Sequence, residues 1–175
     1  MRIIDDRWTG ARPVTDGEGR LLNRARYDDD EWLNLILRFS ALPGTSRHHW
    51  GTDLDIWDAS AVDADYRPQL SPSEYAPSGP FFEMTRWLDD LMATDDAEGF
   101  YKPYAVDRGG IAPEAWHVSY RPAALNYQDR VSAKSLIPLW RGEPDACGNG
   151  HEPLAMLQVI EPQVDRLMER YVTAT

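Results

Sequence analysis

Two segments carry the residue types with the most chemistry in this chain: Ser46-Arg47-His48-His49-Trp50-Gly51-Thr52-Asp53-Leu54-Asp55 and, farther on, Glu114-Ala115-Trp116-His117. Three of its four histidines lie in them. Together they supply two imidazoles and a carboxylate that could hold one metal ion. They also supply a glutamate, beside the second histidine, that could act as a base. Two histidines, one carboxylate and an open water position make a standard catalytic zinc shell. Zinc so held lowers the pKa of its bound water toward about 7. Glu114 would take up a proton as water attacks a peptide carbonyl and pass it to the leaving amine. Either His48 or His49, and either Asp53 or Asp55, satisfies the spacing, and the pattern alone leaves both pairs open.

The backbone has to bring these groups together. Gly51 permits a reversal after His48. Asp53-Leu54-Asp55-Ile56-Trp57 alternates as a strand, which predicts Leu54 and Ile56 toward the core and Asp53, Asp55 and Trp57 on the other face. Phe100 to Tyr104 and Trp116 to Tyr120 read as further strands, joined by a turn at Gly109-Gly110. Pro113 biases Ala112 toward extended backbone, so Glu114 falls at a loop-to-strand junction.

Around these strands the apolar spacing is helical. Asp28 to Phe39 is capped by Asp28 or Asp29, carries Trp32, Leu35, Ile36 and Phe39 on one face, and stops before Pro43-Gly44. Phe81 to Met92 places Phe81, Met84, Leu88 and Leu91 or Met92 on one face, with Ser78 as its cap. Asp58 to Pro80 holds four prolines and reads as an irregular excursion. Pro122 to Ser135 is ambiguous. Glu152 to Tyr171 is helical in period, but Pro162 should kink or split it. Asp16-Gly17-Glu18-Gly19 reads as a turn. Helices interspersed with a few short strands point to an α+β fold, expected as one domain over residues 1–175.

Composition narrows the function classes. With 18 basic and 29 acidic residues the net charge is -11. That argues against non-specific binding to nucleic acid or anionic lipid, which needs a basic face. Seven tryptophans and eight tyrosines imply aromatic core or cleft walls. Cys147 is the sole cysteine, so the chain has no intrachain disulfide and no thiolate zinc finger. The N-terminus lacks an apolar stretch of the signal-peptide type and reads as cytoplasmic. No run approaches the roughly 18 apolar residues of a membrane span.

The pattern S-x-H-x-x-G-x-x-x-D followed by E-x-W-H resembles the LAS zinc metallopeptidases: lysostaphin-type enzymes, D-alanyl-D-alanine metallopeptidases and hedgehog-type domains. The fit is closest to the D-alanyl-D-alanine carboxypeptidase branch, which includes the vancomycin-resistance D,D-peptidases. Ser46, His48, Gly51, Asp55, Glu114, Trp116 and His117 carry the match. Ala41-Leu42-Pro43-Gly44 and Ser119-Tyr120-Arg121-Pro122 agree as flanks. The resemblance implies that His48, Asp55 and His117 bind Zn2+ and that Glu114 is the general base. It also implies that Ser46 and Trp116 help form the substrate site. The implied fold is a small antiparallel sheet flanked by helices, with zinc in an open cleft. The implied substrate is a peptidoglycan stem peptide ending in D-Ala-D-Ala, which points to the cell envelope.

One feature of that branch is missing: an upstream arginine, in a segment like S-G-Y/F-R-S, that stabilises the developing oxyanion. The expectation is therefore a metallopeptidase domain lacking the N-terminal segment of its family. Two functions compete. One is a zinc D,D-carboxypeptidase or dipeptidase, favoured by the intact set of His48, Asp55, His117 and Glu114. The other is a non-catalytic zinc-containing module that binds cell-wall peptides, favoured by the absent arginine.

Overall fold

The computed structural model describes residues 2–128 and 130–173; Met1, Asp129, Ala174 and Thr175, which the 1–175 domain expectation includes, lie outside the described residues. Helices and a three-stranded antiparallel sheet make an α+β fold. The chain groups into two compact units. Among the described residues, one comprises 2–46, 108–112, 128 and 130–173; the other comprises 47–107 and 113–127.

The first unit is helical. Its helix Asp29–Leu37 begins as the sequence predicts, on Asp28. The Asp28 carboxylate accepts the Glu31 N–H at 2.8 Å, and Glu31 accepts the Asp28 N–H at 3.1 Å, a reciprocal capping box. Trp32, Leu33, Ile36 and Leu37 are its buried residues. Leu35 and Phe39 are only half-buried, so the apolar face is rotated from the expected one. The ambiguous stretch resolves into helices Arg121–Gln128, which begins in the second unit, and Ala133–Trp140. Trp140 is fully buried and its indole N–H donates to the Pro43 carbonyl at 2.9 Å. Pro162 breaks the last helical run as expected, leaving Leu157–Ile160, a 3-10 turn over Glu161–Gln163, and Val164–Met168.

The second unit holds the sheet: β1 (Asp53–Asp55), β2 (Phe100–Tyr101) and β3 (His117–Tyr120). The spatial order is β1-β3-β2, with Asp53 opposite Ser119 and Asp55 opposite His117. The second expected strand is shorter than predicted because Pro103 has no N–H to give to a ladder. Trp116 precedes β3, yet its carbonyl accepts the Ile56 N–H at 3.0 Å, which prolongs the pairing.

The predicted polarity of β1 fails at Leu54 and Asp53, while Asp55 and Trp57 are exposed as expected. Leu54 is 55% exposed, whereas Asp53 is 4% exposed. Alternation assigns the apolar side to the core, but here a buried hydrogen-bond network takes the aspartate inward instead.

Helix Phe82–Ala93 starts after Phe81, with no side-chain cap. Ser78 is therefore not its cap. The Phe81 N–H is instead satisfied by the Glu74 carbonyl at 2.9 Å. Phe81, Tyr75 and Trp116 form the aromatic core of this unit. Glu74 also holds the proline-rich excursion together. Its carboxylate accepts from the Gln69 and Ser71 N–H groups and from the Tyr66 and Ser71 hydroxyls. Burial pushes the Glu74 carboxyl up, but these donors outweigh it and hold the pKa below the ordinary value. A carboxyl whose pKa falls on folding adds stability above its unfolded pKa and loses it as pH drops through the folded one. Glu74→Gln is therefore expected to cost about 1–3 kcal/mol at pH 7. The difference from the parent should shrink toward pH 3 in urea unfolding; an equal deficit at both pH values would contradict the assignment.

Candidate metal centre

The first motif enters the site through a single 3-10 turn, Arg47–Trp50. Gly51 follows with φ +71, a left-handed backbone that glycine adopts without a Cβ penalty. The chain then reverses into β1, which returns Asp55 beside His48. The second motif approaches along β3. The Glu114 N–H donates to the Tyr104 carbonyl at 2.9 Å, fixing the residue three places before His117.

One atom each from His48, Asp55 and His117 converge, all within 4.8 Å of one another. His48 Nε2 lies 3.5 Å, and His117 Nδ1 3.8 Å, from Asp55 Oδ1. Ligand atoms around one tetrahedral zinc, each at about 2.0–2.1 Å, sit about 3.3 Å apart. The two nitrogen-to-carboxylate separations are close to that spacing, which makes the three side chains a possible metal-binding triad. The two rings are 4.6 Å apart between centroids. His48 Nδ1 faces the Asp53 carbonyl at 3.3 Å, which leaves Nε2 for the convergent side. His49 is exposed and stands outside the cluster.

Glu114 Oε2 is 3.0 Å from His117 Nδ1, the nitrogen that also faces Asp55. The Glu114 side chain is 18% exposed and His117 only 4%. Burial lowers the imidazole pKa, but hydrogen bonds to Asp53 and Glu114 override it, raising it to about 9. Tyr104 packs edge-on against His117, centroids 4.9 Å apart at 88°. Burial pushes its phenol above the ordinary value.

Asp53 is not in the cluster. It sits behind His117, with Oδ1 2.9 Å from Nε2. Arg47 Nε donates to the same oxygen at 2.8 Å, while the Thr52 and Ser119 hydroxyls donate to Oδ2 at 2.6 and 3.0 Å. Burial raises the carboxyl pKa, and the bonds from His117, Thr52 and Arg47 more than reverse that, holding it well below the usual carboxylate range. Sequence reasoning gave Arg47 and Ser119 no role at this site. The available signal was a pair of opposite charges, Arg47 and Asp53, facing each other across the Gly51 turn.

The two residues expected at the substrate site differ in setting. Trp116 is 7% exposed, belongs to the aromatic core, and also lines a cavity of about 240 Å³ with Tyr75, Thr85, Lys102, Tyr104 and Ala115. Ser46 is half-buried and ends the first unit. His151 and Cys147 are both exposed and lie outside the cluster.

Residues 17–123 match the VanY family, described as D-alanyl-D-alanine carboxypeptidase. The chain belongs to this family. The matched range contains both motifs and the convergent residues, and membership points to a carboxypeptidase-like hydrolase of the cell wall. An uncharacterized protein of Haemophilus influenzae is 36% identical over 103 residues, covering 58% of this chain and 77% of that protein. No solved structure matches. No helix among the described residues is long and apolar enough to cross a membrane.

Proposed function

We propose that this chain is a zinc-dependent D-alanyl-D-alanine carboxypeptidase or dipeptidase acting on peptidoglycan stem peptides. The observation that carries the reading is the convergence of His48, Asp55 and His117 within 4.8 Å, with the Glu114 carboxylate 3.0 Å from His117 Nδ1. His48 would hold the ion through Nε2, His117 through Nδ1 and Asp55 through a carboxylate oxygen. Zinc held there would supply Lewis acidity, making a water easier to deprotonate and the scissile carbonyl more electrophilic.

The remaining work falls to the chain itself. Glu114 takes a proton from the attacking water and returns it to the leaving amine. Its partial burial keeps the proton exchange sheltered from solvent. Tyr104 and the sheet keep His117 from swinging away. Ser46 and Trp116 are the proposed substrate contacts, Trp116 through the cavity it shares with Tyr104. The whole chain acts as one metallopeptidase domain, with zinc in an open cleft.

The test is release of free D-alanine from a stem peptide ending in D-Ala-D-Ala. Zinc-loaded protein is expected to release it, a chelator to stop it, and added zinc to restore it. Zinc-loaded protein that binds the peptide without cleaving it would replace this reading with the non-catalytic module.

A further inference from the structure

We infer that Asp53 is a positioning residue for His117: it keeps a hydrogen on Nε2 and orients the imidazole so that Nδ1, which faces Asp55 and Glu114, is the nitrogen left for a metal ion. The inference rests on the metal-centre reading above and concerns the groups behind the ligands.

An ionised carboxylate can only accept hydrogen bonds. Asp53 Oδ1, 2.9 Å from His117 Nε2, therefore requires the hydrogen to be on that nitrogen. The carboxylate has no freedom to turn away. Its side chain is fully buried, Arg47 Nε shares Oδ1, and two hydroxyls hold Oδ2. The direction of this chain of bonds is also set. Arg47 Nη2 donates to the Ser119 hydroxyl at 2.8 Å, so the hydrogen of that hydroxyl is directed to Asp53. Arg47 is itself anchored by the Tyr101 hydroxyl at 2.8 Å and lies 4.6 Å from the centroid of the Trp50 ring.

Asp53 and Asp55 thus divide the two roles that their shared strand left open. Asp55 faces the convergent side of the imidazole, and Asp53 faces the opposite side. A carboxylate on the far nitrogen of a metal-bound histidine fixes its tautomer and raises its basicity, and losing it typically costs about 10–100-fold in metal affinity.

The experiment compares wild type with Asp53→Asn. It reads the zinc dissociation constant by chelator competition, nitrogen-15 imidazole spectra of the zinc-loaded proteins, and unfolding as a check on the fold. In wild type we expect zinc on His117 Nδ1 and a downfield, carboxylate-bound hydrogen on Nε2. In folded Asp53→Asn we expect zinc to bind about 10–100-fold more weakly. A purely structural role would lower the unfolding midpoint and leave the affinity of the folded protein unchanged. Unchanged affinity, or zinc on Nε2 in wild type, overturns the inference while leaving the metal centre intact. Should Asp53→Asn fail to fold, the wild-type spectrum decides, through the presence or absence of the Nε2 hydrogen. A wild type that takes up no zinc overturns the metal-centre reading, and this inference with it.

Discussion

Glu114→Gln is expected to lower peptide turnover by about 10²–10⁴-fold while zinc stays bound. Glutamine keeps the size of the side chain and a carbonyl oxygen, but it cannot take up a proton at the pH of the reaction. The backbone bond that fixes this residue, from its N–H to the Tyr104 carbonyl, does not involve the side chain and survives the change. Glu114 is also outside the three-residue cluster, so the ligand set is untouched. The loss should fall on kcat, with KM little changed, because the proton transfer stabilises only the transition state. Steady-state D-alanine release and zinc content, measured on the same samples, check both halves. A variant that keeps more than a tenth of wild-type kcat would remove Glu114 from the role of base. One that loses zinc would move it into the ligand set.

The sequence made some parts of this site legible and hid others, for physical reasons. The cap at Asp28 could be read because a capping box is local: the partners are three residues apart and need nothing from the rest of the chain. The same reasoning misassigned Ser78, since the N–H it was meant to satisfy is taken by the carbonyl of Glu74, from a short helix in the proline-rich excursion. Pro162 could be read because a proline deep inside a long helical run removes a backbone hydrogen bond and crowds the preceding turn. The helices at 121–128 and 133–140 could not, because Pro122 and Pro138 lie inside them and mimic breakers.

The larger error concerns β1. Period-two reasoning knows only apolar and polar, and it turned Leu54 inward. What decides the face is whether a polar side chain finds partners, and Asp53 finds four in Arg47, Thr52, His117 and Ser119. Ser119 and His117 lie more than sixty residues away in sequence, so no local pattern could announce them. The choice between His48 and His49, and between Asp53 and Asp55, has the same origin. The fold turns His48 but not His49 into the cluster, and it sets Asp53 and Asp55 against opposite nitrogens of His117.

That network also sets the second large effect. Arg47→Ala is expected to destabilise the protein by about 3–5 kcal/mol, because it leaves a buried carboxylate without its cation. Arg47 and Asp53 side chains are 3% and 0% exposed, and the 2.8 Å bond between them is shielded from water. Such a pair contributes little relative to an apolar replacement, yet it is costly to break from one side. Arg47→Lys should fall between the parent and alanine. An ammonium restores the charge, but it cannot reach Asp53, Ser119 and Tyr101 together as the planar fork does. Urea unfolding of Arg47→Ala, Asp53→Leu and the double variant separates the terms. The double variant should be less destabilised than the sum of the singles, since no uncompensated charge remains. It should not return to wild type, because the N–H at Nε2 of His117 would then lack its acceptor. Strict additivity, or a loss under about 1 kcal/mol for Arg47→Ala, would mean that water reaches Asp53 and that its burial does not govern the stability of the pair.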